Sequence, residues 1–448
     1  DCTAVTAEWL ARLNSVATSG DVNAFSDLLS TGWMRGTFPS DLLCFSWDFR
    51  SLGGRDKISA YLSEDVSESG DSSNHSRLAH AGLSDIVLET SSSLGLPSSF
   101  PVPDESLSAS GVIAAFTFTL KNPARTGRGL VRLVQDHSDD STNESVWKAF
   151  TLLFNAEDLV GHEELKGRPM SPVWDPHWKS WSKIKAEWIK GVESDPTVLI
   201  GPCLSFLFIL GGGQAGLMCA ARMGRMGIRA LVVDKVHRVG DNWRNRITYP
   251  KFLPRDVVAD FLEAYAIGQN IAIWLSSTVL SDPNPVYDEQ TGTWTVLIHR
   301  QYPIVKSQIV TLRPRHIVMA TGTGHAHIPQ LKGMGDFKGA IYHSDQHKDA
   351  EIWAGKKAVI VGAGNAAADV AQSFLSPSHR AESVTMIQRS ATCVISSRTA
   401  DIALFSSYEP EALAIEDADL LDHSMPCHLG LQLAVNGGTE HIKEMDKQ

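Results

Sequence analysis

The feature that most constrains this chain is a glycine-rich turn set between a short apolar run and a helical stripe, and it occurs twice. Phe206–Leu210 (FLFIL) runs into Gly211-Gly212-Gly213-Gln214-Ala215-Gly216, after which Leu217, Ala220, Ala221 and Met223 fall on one helical face that Gly227 closes. A short continuous apolar run is what a strand buried on both faces shows. Further on, Lys357–Val361 (KAVIV) runs into Gly362-Ala363-Gly364-Asn365-Ala366-Ala367, with helical spacing over Ala366–Leu375 and a second strand over Ser383–Ile387. Strand, glycine turn, helix, strand is α/β texture.

Each glycine has a physical reason. Gly211 allows the tight turn, the bare backbone at Gly213 can approach a pyrophosphate, and Gly216 lets the helix pack closely on the strand. The helix N-terminus adds free N–H donors, here from Gln214 and Ala215, and the positive end of its dipole. The next strand, Ala230–Val233, ends at Asp234-Lys235, which puts a carboxylate where it accepts the hydroxyls of an adenosine ribose. In the second unit alanine stands for the third glycine, as the motif permits, and the following strand ends at Gln388-Arg389-Ser390. A carboxylate there would repel a 2′-phosphate, whereas a guanidinium forks two hydrogen bonds onto it. The first turn therefore fits FAD or NAD. The second, through Gly362, Gly364, Asn365, Ala366, Ala367, Gln388, Arg389 and Ser390, fits NADPH. The rival readings are a ligand-free glycine loop and, for Arg389, a solvent-facing charge at a strand end.

Three further segments join the set. Gly240-Asp241-Asn242-Trp243, with Arg244 after it, could bring an aromatic ring and amides beside a flavin, although Gly-Asp-Asn is turn chemistry in any protein. Ile317–Ala320 followed by Thr321-Gly322-Thr323-Gly324 is another strand-to-turn unit, so Ala320, Thr321 and Gly322 join the FAD candidates. His343 and His347 stand four apart, but no third ligand accompanies them, so a metal site is set aside.

The rest of the chain is read by texture. Its 448 residues are too many for one core. Residues 1–160 form an α+β domain, with helices over Ala7–Ala17 and Asn23–Leu29 and strands over Ile113–Leu120, Gly129–Val134 and Val146–Phe154; Ser63–Ser76 and Glu89–Ser99 read as loops. Residues 161–196 are a helical linker carrying Trp174, Trp178, Trp181 and Trp188. Two Rossmann-type dinucleotide-binding domains follow, at 197–350 for FAD and 351–448 for NADPH. A net charge of −11 argues against a nucleic-acid surface. The six cysteines are scattered with no C-x-x-C pair, which points away from zinc and disulfide frameworks and toward a reducing, cytoplasmic setting. The longest apolar stretch, Cys203–Leu210, is far short of the ~20 residues that cross a bilayer. The chain opens at Asp1 rather than methionine, as a processed or clipped form does.

Taken in order, GGGQAG, VDK, GDNW, ATG, F-x-G-x-x-x-H (Phe337, Gly339, His343) and VGAGNAAAD with QR downstream resemble the flavin-containing monooxygenases, especially the plant YUCCA type and fungal FAD-dependent monooxygenase-like proteins. In the fungal proteins a cone-shaped, SnoaL-like α+β domain often comes first, and Asp41–Ile58 and Trp147–Glu164 resemble it. The resemblance implies that NADPH delivers hydride to FAD, and that a peroxyflavin then inserts one oxygen atom of O2 at nitrogen, sulfur or a carbonyl carbon of a small organic substrate. The resemblance assigns no catalytic side chain. Self-association as a homo-oligomer through the front domain is a separate expectation.

The sequence departs from that family in three places. Thr197–Leu210 is too long for one strand and is broken by Gly201-Pro202. The stretch after Arg246 is short, passing through Ile247–Pro250 almost at once to a helix at Arg255–Ala266. The family's chains continue beyond the point matching Gln448, where this one ends in a charged helix at Glu440–Gln448. Two alternatives therefore stand beside the monooxygenase: a catalytically impaired or truncated flavoprotein-like remnant that binds nucleotide or a partner without turnover, and an NADPH-dependent flavoprotein reductase. The reductase lacks the cysteine pair it would need.

Overall fold

The structure, a computed structural model, describes residues 1–30, 38–66, 76–102, 110–137, 145–163, 180–194, 206–226, 228–244, 254–301, 307–322, 328–347, 349–378, 380–390, 392, 394, 406–409 and 411–425. Trp174, Trp178, the break at Gly201-Pro202, Gly227, the stretch Asn245–Pro250, Thr323-Gly324 and Glu440–Gln448 lie outside the described residues. The chain divides into two compact units, Asp1–Glu163 with Ile395–Gln448, and Glu164–Val394.

In the first unit, α1 (Cys2–Ser19) and α2 (Val22–Asp27) each start on an aspartate that accepts from first-turn amides, Thr3 N at 3.0 Å for Asp1 and Asn23 N at 2.9 Å for Asp21. Such caps satisfy donors that the helix itself leaves open. Strands β1 (Phe38–Leu42) and β2 (Phe49–Ser51) are followed by α3 (Arg55–Ser63), α4 (Arg77–Ala81), β3 (Ser84–Leu88), β4 (Ser98–Pro101), β5 (Ser110–Lys121), β6 (Ala124–His137) and β7 (Ser145–Leu159). They form one sheet in the order β2-β1-β7-β6-β5-β3, with β4 on β5. All neighbours are antiparallel except β1 and β7. The three strands expected from aromatic and β-branched runs lie inside β5, β6 and β7.

One face of this sheet carries the core. Trp9, Leu10 and Leu13 of α1 are buried with Phe116, Phe118 and Phe154. Phe154 meets the other two rings edge-on, at 5.7 and 5.3 Å between centroids, the arrangement the ring quadrupoles favour. Gly127 and Gly129 in β6 make room for them, since a Cβ at either would fall on the ring of Phe118 or Phe116. Burying each ring contributes about 2–3 kcal/mol.

The second unit opens with α5 (Trp181–Ser194), the described part of the expected linker. Then come β8 (Phe206–Leu210), α6 (Gln214–Arg225), β9 (Arg229–Val233), α7 (Asp241–Arg244), α8 (Arg255–Gly268) and β10 (Ala272–Trp274). A meander follows in β11 (Ser277–Val279), β12 (Val286–Asp288), β13 (Thr293–Arg300) and β14 (Gln308–Leu312), before β15 (His316–Met319). Strands β8, β9, β10 and β15 form a parallel sheet in the order β10-β9-β8-β15. The antiparallel meander packs on it through Val296, Ile298 and Leu312 against Leu231, Val233 and Trp274. The remaining elements are β16 (Lys357–Val361), α9 (Asn365–Leu375) and β17 (Ser383–Ile387), with β16 and β17 paired in parallel.

The last described helix, α10 (Ile415–His423), belongs to the first unit. Its Leu420 is buried with Leu130 and Leu153 on the sheet face opposite the main core. The sequence reading runs the last domain unbroken from 351 to 448, whereas the packing groups Ile395–Gln448 with the front sheet. The mixed α/β character expected of the chain is present in both units.

Candidate functional site

The first glycine turn sits at the carboxyl end of β8, with β9 on one side and β15 on the other. In open α/β sheets, the crevice where strand order reverses is where ligands bind. Gly211 has φ +113°, a conformation that favours glycine, and its N–H donates to Val233 O at 2.9 Å. A side chain at Gly211 would collide with Ala320 O, and one at Gly216 with Gly211 O. Ala320 in turn donates its N–H to Leu210 O at 2.8 Å. The turn, the start of α6 and the end of β15 are thus held at backbone contact. Gly213 is the N-cap of α6 and supplies no side-chain cap, so the first-turn amides of Gln214, Ala215 and Gly216 have no partner within the helix.

Asp234 follows the tip of β9. Its Oδ2 accepts from Gly212 N–H at 2.6 Å and its Oδ1 from Val236 N–H at 3.1 Å. Each oxygen keeps a further lone-pair direction for another donor. Lys235 beside it is exposed, as are Thr321 and Gly322 after β15.

Gly240 also sits in the left-handed region, φ +88°, and a Cβ there would meet Ala259 O at 2.5 Å. Asp241 accepts from Arg238 N–H at 3.0 Å, which secures the short helix α7. The ring of Trp243 packs against Leu217, Val239, Leu262 and Ala266, between α6 and α8. The side chains of Asn242 and Arg244 lie outside the described set.

At the second turn, Gly362 has φ +128° and donates to Ile387 O at 2.8 Å, so the turn is tied to the tip of β17. Gly364 caps α9, and no heavy atom stands within 4 Å of where its Cβ would be. Ala367 N–H donates to Gly364 O at 2.9 Å, and Thr392 Oγ1 to Ala363 O at 3.1 Å. Asn365 and Ala366 open α9. Gln388, Arg389 and Ser390 leave the tip of β17 exposed.

In the segment between the turns, Phe337 is exposed and its ring lies against Gly339, where a Cβ would come within 2.5 Å. His343 is half-buried and accepts from Asp345 N–H through Nδ1 at 3.2 Å. The residue that reaches another element is His347. It is buried, with Nδ1 at 3.1 Å from Tyr342 Oη and Nε2 at 3.2 Å from Ser373 Oγ on α9. Burial lowers its pKa below the usual imidazole value, with Asp349 opposing. Sequence spacing offered this histidine only as half of a metal pair, and no metal-binding cluster occurs among the described residues. A groove of about 290 Å³ between Ile189, Val239, Glu263, Ile267, Ile273 and Trp274 involves none of the glycine-turn residues.

Residues 241–406 match the flavin-binding monooxygenase-like family. The indole-3-pyruvate monooxygenase YUCCA1 of Oryza sativa subsp. japonica is 27% identical over 185 residues, 36% of this chain and 43% of that protein. The probable indole-3-pyruvate monooxygenase YUCCA3 of Arabidopsis thaliana is 26% identical over 210 residues, 42% of this chain and 47% of that protein. The chain thus spans less than half the length of these curated relatives. Among solved structures, a flavin monooxygenase from Stenotrophomonas maltophilia aligns at 18% identity and a TM-score of 0.36, covering 48% of this chain and 67% of that one.

Proposed function

We propose that this chain, which belongs to the flavin-containing monooxygenase family through its region at 241–406, is an FAD-dependent, NADPH-using monooxygenase acting on a small organic substrate. One observation carries the proposal: two glycine turns, each tied to the tip of a neighbouring parallel strand, with Asp234 at one tip and Arg389 beyond the other. A carboxylate beside a phosphate cradle suits the ribose of FAD, and an exposed guanidinium suits the 2′-phosphate of NADPH. The fit of FAD to the first turn rests on backbone geometry as well as charge. Gly211 and Gly216 tolerate no Cβ against Ala320 O and Gly211 O, which keeps the turn tight, and the first-turn amides of α6 have no helical partner and suit a pyrophosphate.

In this reading Gly211, Gly213, Gln214, Ala215 and Gly216 hold the pyrophosphate, Asp234 and Lys235 border the ribose, and Ala320, Thr321 and Gly322 close the far side. Gly362, Gly364, Asn365, Ala366, Ala367, Gln388, Arg389 and Ser390 hold NADPH. Bound FAD supplies the redox and oxygen-transfer chemistry, while the protein orients the rings and excludes water. Asp1–Glu163 reads as a SnoaL-like cone, supported by its seven-stranded sheet with helices packed on one face. The flavin and nicotinamide regions read as two Rossmann-type domains, supported by the parallel pairings of β8, β9 and β15 and of β16 and β17.

A nucleotide-binding protein without turnover is the second reading. It is favoured by Trp243, whose ring packs in the α6–α8 core. The test is purification followed by an absorbance spectrum and an NADPH oxidation assay with O2. Yellow protein that consumes NADPH supports the monooxygenase. Yellow protein that leaves NADPH untouched favours the second reading. Colourless protein that takes up no added FAD ends the first, and if it also binds no NADPH it ends both.

A further inference from the structure

The face of the front sheet opposite its main core is covered by the chain's own tail. Helix α10 is nine residues long and reads Ile-Glu-Asp-Ala-Asp-Leu-Leu-Asp-His. A helix that short is not stable in water by itself, and its three aspartates lower its propensity further. Its helicity must therefore come from what it sits on.

The contacts grip both ends. At the amino end, Ala414 N–H donates to Ser93 Oγ at 2.9 Å, and Ser93 donates to Asp417 Oδ2 through its N–H at 2.7 Å and its hydroxyl at 2.6 Å. Arg128 on β6 meets Asp417 Oδ1 at 2.5 Å and Glu89 Oε2 at 2.9 Å. At the carboxyl end, Arg132 on β6 donates through Nη1 to Ser424 O at 3.2 Å, to Ser424 Oγ at 2.9 Å and to Thr151 Oγ1 at 3.2 Å. A cation placed on the last carbonyls of a helix matches the negative end of its dipole. Between the grips, Leu420 is buried on Leu130 and Leu153, and Met425 packs on Val134 and Phe150.

The face that α10 covers is not purely apolar. Arg132 is only 6% exposed, and no described carboxylate pairs with it. Docking therefore desolvates guanidinium groups, a cost that works against the apolar contacts. Undocking lets both arginines hydrate, which offsets part of the loss. A purely apolar face would hold its cover far more firmly.

We propose that this outer face is a docking site that recognises an acidic helix by its two ends, and that Ile415–Met425 is its resident occupant, a separable strap that folds on docking. Arg128 with Ser93 reads the carboxylate in the first turn, Arg132 reads the helix end, and the pocket between Leu130 and Leu153 takes the central leucine. The inference is independent of the flavin reading, because it involves only the first unit.

The experiment is hydrogen–deuterium exchange on the full chain carrying Leu420→Asp. Amides of 415–425 should exchange about tenfold faster or more, while those of α1 and α9 stay as in the parent. A synthetic peptide of residues 411–425 should then bind the variant saturably and restore protection to Leu130–Val134 of β6, yet fail to bind the parent chain, whose site is filled. Asp417→Asn, a milder change, should accelerate the same amides to a smaller degree. Unchanged exchange over 415–425 in both variants, equal acceleration in α1, or no peptide binding to the Leu420→Asp chain would overturn the proposal.

Discussion

The amide of Gly212 donates to the carboxylate of Asp234 at 2.6 Å, so the acid at the tip of β9 is tied to the glycine turn. The bond is charge-assisted, and such bonds contribute about 1.5–3 kcal/mol. Asp234→Asn keeps the size and loses the charge. It is expected to loosen the turn and lower FAD affinity by roughly tenfold to a hundredfold, read by fluorescence titration of the apoprotein. An unchanged dissociation constant would mean that the turn holds its shape without the acid.

Two of the glycines have different reasons to be there. At Gly216, the third glycine of the first turn, a methyl group would overlap Gly211 O, whereas at Gly364, the middle glycine of the second turn, no heavy atom stands within 4 Å of where a Cβ would be. Gly216→Ala must push α6 off the turn, and forcing a methyl into a packed site costs about 1–3 kcal/mol. It should lower the melting temperature and abolish flavin retention. Gly364→Ala should melt as the parent does and weaken only the binding of NADPH. Equal losses of stability in the two variants would contradict the geometry.

Arg389 lies exposed just beyond the tip of β17, and Gly362 donates to Ile387 two residues before it. Loss of a guanidinium–phosphate contact worth about 1.5–3 kcal/mol corresponds to a factor of roughly ten to a hundred and fifty. Arg389→Ala should raise KM for NADPH by that order and leave KM for NADH nearly unchanged. A matching rise for both coenzymes would place Arg389 away from the 2′-phosphate.

The parts of this structure that were legible in the sequence are those where local chemistry leaves little choice. Gly211, Gly216 and Gly362 stand out because no other residue fits, and β8, β16 and β17 because short apolar runs flank those glycines. The packing of Trp243 against neighbours such as Leu217 and Leu262 is not legible from its own turn, because those residues come from α6 and α8. The meander strand Thr293–Arg300 carries a period-two signal in Trp294, Val296 and Ile298, the residues that pack toward the parallel sheet. The docking of α10 was not legible at all. Asp417 and Arg128 are 289 residues apart, and the segment's own composition reads only as an acidic surface.

His347 gives the clearest pH dependence. Its ring is buried against Tyr342, Phe374 and α9, with Tyr342 Oη on one nitrogen and Ser373 Oγ on the other. Burial lowers its pKa in the folded protein, and Asp349 opposes this only in part. The unfolded chain therefore binds the proton more readily. Stability from the neutral ring is fully present above about pH 6.5, and it is lost as the solution is acidified from there toward the lower folded value. The slope from one such group is at most about 1.4 kcal/mol per pH unit. Tyr342 does not compete in this range, because burial raises its pKa further above 10. His347→Gln keeps a hydrogen-bonding side chain and removes the titration. The melting temperature of the parent should fall between pH 7.5 and 5.5 by more than that of the variant, with the second unit unfolding first. If the two chains lost stability in parallel, the acid sensitivity would have to come from other groups, and His347 would be a packing residue only.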